Sequence, residues 1–533
     1  MTSYCSFPFL FLFLPAVIVV YQLMPEKKRP YVLLAASYLF FWLISGTLLV
    51  FLLFTTVSIY SIGKRLDREG EKRDALLKTA PRDEKKAIRQ LCQKKQRRWL
   101  ALGIFLQLGI LLTIKYSGFF VENMNQLLKW QQIEPLIKVP QFVMPIGISF
   151  YTLQAFSYLT DVYRGVTKAE PKLSRLALYM SFFPGLMEGP ICRYRDMAEQ
   201  LSAGGKITYH QLTYGVQRIL YGMIKKVVIA DRLNPLVQEL FDSGTAYDGG
   251  LMFVALFAFT CQEYMEFSGT MDVVIGTAQI FGIKMQENFE RPFFSRTISE
   301  FWRRWHITLG TWFKDYIFYP VSMAGPMKKL TKNTRKSLGS YYSPLLAGTV
   351  ALFCVWSLNG LWHGAGWNYI GFGMFHFMLI VLGNFVEPPV AWAAEKIGLN
   401  RDSVPWRIFQ MLRTAFLVGM GEVIFRASSL HQGVQMLKTM LTSFTLGSVK
   451  NGTLFTLGID RHDFLITGVA LFLVLAVSIL QERGIKIRDY IAGRKTPVRW
   501  MIYYSAVLFV VVFGAYGNGY LPIDPIYAGF YGE

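Results

Sequence analysis

Runs of roughly 15–20 apolar residues recur along this chain, and that is the length needed to cross the hydrocarbon core of a bilayer as a helix. They are Phe7–Leu23, Tyr31–Ile62, Leu100–Ile114, Leu251–Phe267, Pro344–Trp356, Gly371–Val386, Phe464–Leu480 and Trp500–Tyr516. Inside a bilayer every backbone N–H and C=O must find its partner within the protein, which leaves helices as the structure for runs of this kind. Composition agrees: 53% of the 533 residues are hydrophobic and 17% charged, against about 25% charged in soluble domains. The expectation is an all-α, polytopic integral membrane protein of about 11–13 helical segments, folded as one domain over residues 1–533. Tyr31–Ile62 is too long for one upright span at about 1.5 Å per residue. It reads as a hairpin broken at Ser45-Gly46 or as one long tilted helix.

A net charge of +21 in a soluble protein would point to nucleic acid. Here Lys and Arg gather in short segments between apolar runs, as the positive-inside rule requires, so nucleic acid is not the expected partner and the lipid bilayer is. Residues 64–98 hold fourteen Lys/Arg against six Asp/Glu. Smaller basic clusters lie at Glu26–Arg29, Lys328–Lys336 and Arg483–Arg499. Placing both Glu26–Arg29 and residues 64–98 in the cytoplasm puts the N-terminus outside. Residues 64–98 read as a pair of amphipathic surface helices or a partly disordered loop. The first apolar run lacks a basic flank and a small-residue cleavage site, and is expected to be a retained anchor. Five scattered cysteines give neither a disulfide framework nor a metal-ligand spacing.

Against this apolar background the polar residues stand out, because ionisable groups at membrane depth are costly and usually functional. His363 lies in Leu358-Asn359-Gly360-Leu361-Trp362-His363-Gly364, between two apolar runs. Gly360 and Gly364, four apart, let a neighbouring backbone or a substrate approach. A helix-packing histidine is the bland alternative. Arg296–Tyr319 places Ile298, Trp302, Trp305, Leu309, Trp312 and Tyr316 at helical spacing, with Glu300, Arg303, Arg304, Lys314 and Asp315 towards the other face. That is the pattern of an interfacial amphipathic helix, a steep re-entrant helix being the alternative. His306 falls at the edge of its Trp stripe, and Arg303 and Arg304 are either cations for phosphate or snorkelling anchors. Glu188, Glu263, Glu266 and Asp272 sit in apolar context, where they pair with arginines or serve a proton path or substrate. No HExxH, GxSxG, phosphate-binding glycine loop or metal-ligand cluster occurs.

These stretches carry a resemblance. Met144–Gly165 (MPIGISFYTLQAFSYLTDVYRG), Phe182–Met197 (FFPGLMEGPICRYRDM), Ile224–Leu233 (IKKVVIADRL), Phe267–Gly276, Glu287–Pro320 (ENFERPFFSRTISEFWRRWHITLGTWFKDYIFYP), Gly360–His376 (GLWHGAGWNYIGFGMFH) and Ile424–Leu430 (IFRASSL) follow one another within residues 140–430. In that order they resemble the membrane-bound O-acyltransferase family, in its bacterial branch of alginate O-acetyltransferases and teichoic-acid D-alanyl transferases. Met265-Glu266, Thr270-Met271, Glu188 and Glu422 depart from the branch's pattern and leave acyl group, acceptor and partner open.

The resemblance implies a curved wall of helices around a transmembrane tunnel, in a multi-pass protein of the plasma membrane. It carries the family's catalytic histidine onto His363 and its second invariant polar position onto His306. Trp302, Arg303, Arg304, Trp305, Trp362, Asn359, Asn288 and Asp272 are the expected substrate-binding residues. The implied donor is a cytoplasmic thioester, acetyl-CoA or an acyl carrier protein, with no bound cofactor and no metal. The implied recipient is an extracytoplasmic hydroxyl of a polysaccharide or wall polymer, or a companion transferase. A transporter of polysaccharide or lipid is the rival class, and it would require inverted repeats with paired broken helices. The charge bias makes the topology testable: a cysteine at position 72 should react only with a membrane-permeant reagent in intact cells. Labelling by an impermeant reagent would reverse the assignment.

Overall fold

The computed structural model describes residues 3–134, 137–243 and 247–516. Among them there is no strand. Seven helical stretches are long and apolar enough to cross a membrane: Glu26–Thr79, Lys85–Trp130, Gly325–His363, Trp367–Lys396, Val404–Arg426, Arg461–Glu482 and Thr496–Phe513. Other apolar runs form shorter helices, such as Pro8–Leu23, or lie in helices that also carry charge, such as Gly249–Ile280. The chain is an all-α polytopic membrane protein.

Contacts gather in two units. The first comprises Met1–Ile219 and Val273–Gln286. The long N-terminal run breaks where the sequence suggested: the helix Arg29–Ser45 stops at Gly46, whose φ of +52° suits glycine, and Leu49–Thr79 begins three residues later. Leu49–Thr79 packs along Lys85–Leu111 and Ile148–Arg164, with Gly63 against the Tyr158 ring and Gly103 against Leu159. The basic residues 64–98 form a largely exposed helix pair, the first of the two readings of the sequence. They are the ends of these same two helices, joined by a turn, with Arg65 stacked over Trp99 and Gln96 Nε2 donating to the Leu66 carbonyl. Inside the unit, Tyr4, Phe9, Phe40 and Phe183 form an aromatic core, and the Tyr4 hydroxyl donates to the Phe183 carbonyl.

The second unit comprises Leu220–Asp272 and, among the described residues, 287–516. Its core joins Leu236, Leu240, Leu251, Ala255, Met436 and Ala470. Buried acids gather in this unit. Lysines of the π-helical turn Ile224–Ala230 take two of them. Lys225 Nζ lies 2.5 Å from Asp272 and 3.0 Å from Ser268 Oγ. Lys226 Nζ lies 2.8 Å from Asp231 and 3.2 Å from Glu266. Gly269 allows this approach, since a Cβ there would stand 2.9 Å from the Gly222 carbonyl oxygen and 3.1 Å from Lys226 N. Glu263 instead lies beside the Glu422 carboxyl.

Removing one partner of a buried ion pair strands the other charge, at a cost of about 3–5 kcal/mol. Lys226→Met should therefore lower thermal stability steeply, and adding Glu266→Gln should recover part of the loss. Equal melting temperatures for Lys226→Met and wild type would show that the cluster carries no stability.

Candidate active site

The stretch expected as one amphipathic helix is broken. Ile298–Arg304 and Ile307–Phe313 are separate helices, and His306 between them is left-handed, with φ +45° and ψ +50°. Nor does the stretch lie on a surface: Trp305 is buried among Tyr264, Phe289, Phe293 and Phe301, and Trp312 is buried as well. The physical reason is aromatic packing. Burial of a ring this large outweighs the one or two helical hydrogen bonds given up at the break.

Asn288 holds the break. Its carbonyl accepts from Ile307 N at 3.0 Å. Its side-chain oxygen accepts from Thr308 N at 3.1 Å and Thr308 Oγ1 at 2.9 Å, and lies 3.2 Å from His306 Nδ1. A backbone N–H only donates, so the Asn288 atom facing Thr308 is the oxygen, and His306 Nδ1 must carry the proton it shares with that oxygen. The neutral ring then has its lone pair on Nε2.

His363 is the last residue of Gly325–His363, a helix that turns at Gly339. After Gly364–Gly366 the chain returns as Trp367–Lys396. The close approach that Gly360 and Gly364 permit is made by this returning helix. A Cβ at Gly360 would stand 2.5 Å from the Tyr369 carbonyl oxygen, one at Gly364 2.2 Å from the Tyr369 ring, and one at Gly373 2.5 Å from the Trp356 carbonyl oxygen. Asn368 Nδ2 donates at 3.0 Å to the carbonyls of Phe425 and Ala427 and anchors the turn. The His363 ring stands edge-on to Phe425 and Phe372.

His306 and His363 line one cavity of about 470 Å³. Trp362 stands beside both, its ring 5.6 Å from His306 and 4.9 Å from His363. Trp302, Arg303, Trp305 and Asn359 share the lining with Trp356, Leu309, Phe313, Lys314 and Phe318. Four expected site residues lie outside it. Trp362 supports the two imidazoles. Asn288 is wholly buried behind His306. Asp272 is held by Lys225. Arg304 is ion-paired to Glu300 at 2.9 Å and Glu482 at 3.1 Å.

Sequence reading missed Lys314 as a lining residue, although its place opposite the Trp stripe was a signal. It also missed His376. Trp302 Nε1 donates to His376 Nδ1 at 3.3 Å, and His376 packs between Trp302 and Gly421. Trp356, parallel to the His376 ring at 5.6 Å, completes that wall.

The arrangement suits proton transfer to and from a substrate held in an apolar slot: two imidazoles on the wall, cations among the lining residues, no carboxylate there. Comparisons with known proteins agree. The profile of the membrane-bound O-acyltransferase family matches residues 166–394. A probable alginate O-acetylase of Azotobacter vinelandii is 34% identical over 461 residues, 85% of this chain and 81% of the relative. A peptidoglycan O-acetyltransferase of Helicobacter pylori is 30% identical over 65% of each chain. A teichoic acid D-alanyltransferase of Bacillus subtilis is 30% identical over 45% of this chain and 59% of the relative. The order of motifs, the paired histidines and an identity sustained over most of the chain make this protein an acyltransferase of the membrane-bound O-acyltransferase family.

Proposed function

We propose that the protein moves an acetyl group from acetyl-CoA, supplied at the cytoplasmic face of the plasma membrane, to a hydroxyl presented on the far side. That hydroxyl belongs to an extracellular polysaccharide or wall polymer, or to a companion transferase that completes the delivery. The observation that carries this reading is the pair His306 and His363 on one largely apolar cavity with Arg303 and Lys314 among its lining residues. Arg303 forms no ion pair among the described residues, and Lys314 only leans towards the Tyr319 ring. Two such cations suit the phosphates of a nucleotide-bearing thioester. Acetyl is favoured over D-alanyl because no Asp or Glu lines the cavity to receive an ammonium group, and because relatives matched over about four fifths of this chain are named alginate O-acetylases.

His363 acts as the general base. It takes the proton of the acceptor hydroxyl as the oxygen attacks the thioester carbonyl, and returns it to the departing thiolate. An imidazole nitrogen with a free lone pair can take up a proton and hand it on, which fits it to both halves of that exchange. His306, with Nδ1 committed to Asn288, orients the substrate through Nε2. The apolar walls keep water from competing with the acceptor.

His363→Ala and His363→Gln should both keep the fold and lose about 10²–10⁴-fold in transfer, read as ester content of the surface polymer in a host lacking its own copy. A packing role predicts instead that Gln is tolerated and Ala destabilises, so full activity in a stable Gln variant removes His363 from the chemistry. Arg303→Gln and Lys314→Gln should each raise the donor KM by roughly two- to fivefold, as exposed charge contacts do, with kcat little changed. An unaltered donor KM in the double variant would place the donor elsewhere.

A further inference from the structure

Asn359 lies one helical turn before His363 on the same face of the same helix, and both line the cavity. Its side chain is 93% buried, being 7% exposed. Neither end of its amide has a hydrogen-bond partner among the described residues, and Oδ1 is fully enclosed. Buried amides are ordinarily paired, and one left without a partner costs stability. Asparagine is also a poor choice for a helix interior when nothing binds it. Leucine has the same number of side-chain heavy atoms in the same branching and, beside an open cavity, would fill the place without that cost. An amide kept at such a position, on the wall of a reaction cavity, is available to a substrate.

Resting on the acyl-transfer reading above, we infer that Asn359 is a further catalytic residue, whose side-chain N–H donates to the thioester carbonyl oxygen as it becomes an oxyanion. The carbonyl carbon gains a bond to the acceptor oxygen, whose proton passes to His363. The carbonyl π electrons move onto the oxygen facing Asn359. On collapse the C=O re-forms, the C–S bond breaks, and the thiolate leaves with the proton held on His363. Ester and thiol are the products, and no further reactant is needed. His363 is already occupied by the proton at the moment the oxyanion forms, so a second polar group on the same wall must meet that charge. No neighbour holds the Asn359 amide, and its nitrogen is not enclosed as Oδ1 is, so the donor end is the one available to the substrate.

The test uses full-length protein in nanodiscs with acetyl-CoA as donor, oligomannuronate as acceptor and release of the coenzyme A thiol as readout. Asn359→Leu and the isosteric Asn359→Asp should lower kcat by about 10²–10³-fold, the loss typical of one oxyanion donor, with the donor KM near that of wild type. Asn359→Leu should melt at or above the wild-type temperature, because the amide it removes has no partner in the protein. A lowered melting temperature with kcat retained would overturn the inference in favour of a packing role. A raised acceptor KM with kcat retained would overturn it in favour of ground-state acceptor binding. Wild-type protein releasing no thiol, either with oligomannuronate or with an envelope extract of the source cells that supplies a companion transferase, would instead overturn the acetyl-transfer reading on which the inference rests.

Discussion

Asn288 is the residue on which the site depends. A left-handed non-glycine residue such as His306 costs on the order of 1–3 kcal/mol, and the broken helix around it leaves N–H groups that cannot be abandoned in a protein interior. Asn288 meets both demands from one place. Its backbone takes the Ile307 N–H, and its side-chain oxygen takes the Thr308 N–H, the Thr308 hydroxyl and His306 Nδ1. Three or four hydrogen bonds at about 1 kcal/mol each are enough to hold a backbone strained by that amount. The same contacts fix the tautomer, so the conformation of the break and the chemistry of the imidazole are one constraint.

The charged cluster around the π-helical turn works differently. Lys225, Lys226, Asp231, Glu266 and Asp272 are pinned to one another within hydrogen-bonding distance, and a neighbouring cation, Arg232, joins Asp463 and the Phe513 carbonyl. Burying charge is expensive, and a paired cluster is not in itself a strong stabiliser. Its consequence is register. The turn Ile224–Ala230 can sit against the face of Gly249–Ile280 carrying Glu266, Ser268 and Asp272 in one position only, since a one-residue slip would strand several charges at once. Ala515 N, donating to the Val227 carbonyl at 2.9 Å, ties the end of the last helix to the same turn.

The helical class of the protein, the break at Gly46 and the importance of the two histidine motifs were legible in the sequence, because each rests on a local signal: apolar length, a glycine in a long run, a polar residue where lipid is expected. The break at His306 was not. Trp302, Trp305, Leu309 and Trp312 satisfy helical spacing, and only the distant rings of Tyr264, Phe289 and Phe293 make interruption preferable. The lysine partners of Glu266 and Asp272 were hidden for the same reason: forty or so residues separate each pair along the chain, and nothing local distinguishes a lysine that folds inward from one that marks a cytoplasmic end. Arg304 and Arg303 are adjacent and alike in sequence, yet Glu482, far along the chain, takes one and leaves the other beside the cavity.

Helix ends explain why the polar groups meet where they do. A continuous helix satisfies its own backbone and presents side chains outward, which suits lipid and packing but offers few fixed polar atoms. His363 stands at a helix terminus closed by Gly364 and Asn368, and His306 at the junction of two short helices closed by Asn288. His306 is thereby carried on a segment whose backbone groups are met by Asn288 rather than by its own helix, and His363 on the last turn of one, so each can be set at an angle the middle of a helix does not provide. Trp362, beside both rings, keeps them on one wall, and Trp302, steadied by His376, forms part of the apolar slot. Two imidazoles in an apolar slot, one of them of defined tautomer, with Arg303 and Lys314 to hold anionic phosphate, keep the charged part of a thioester donor apart from the place where its carbonyl reacts. Binding energy from the phosphates is then available to fix the reacting carbon, and as His363 takes the proton the developing oxyanion is the new negative charge that the cavity wall must answer.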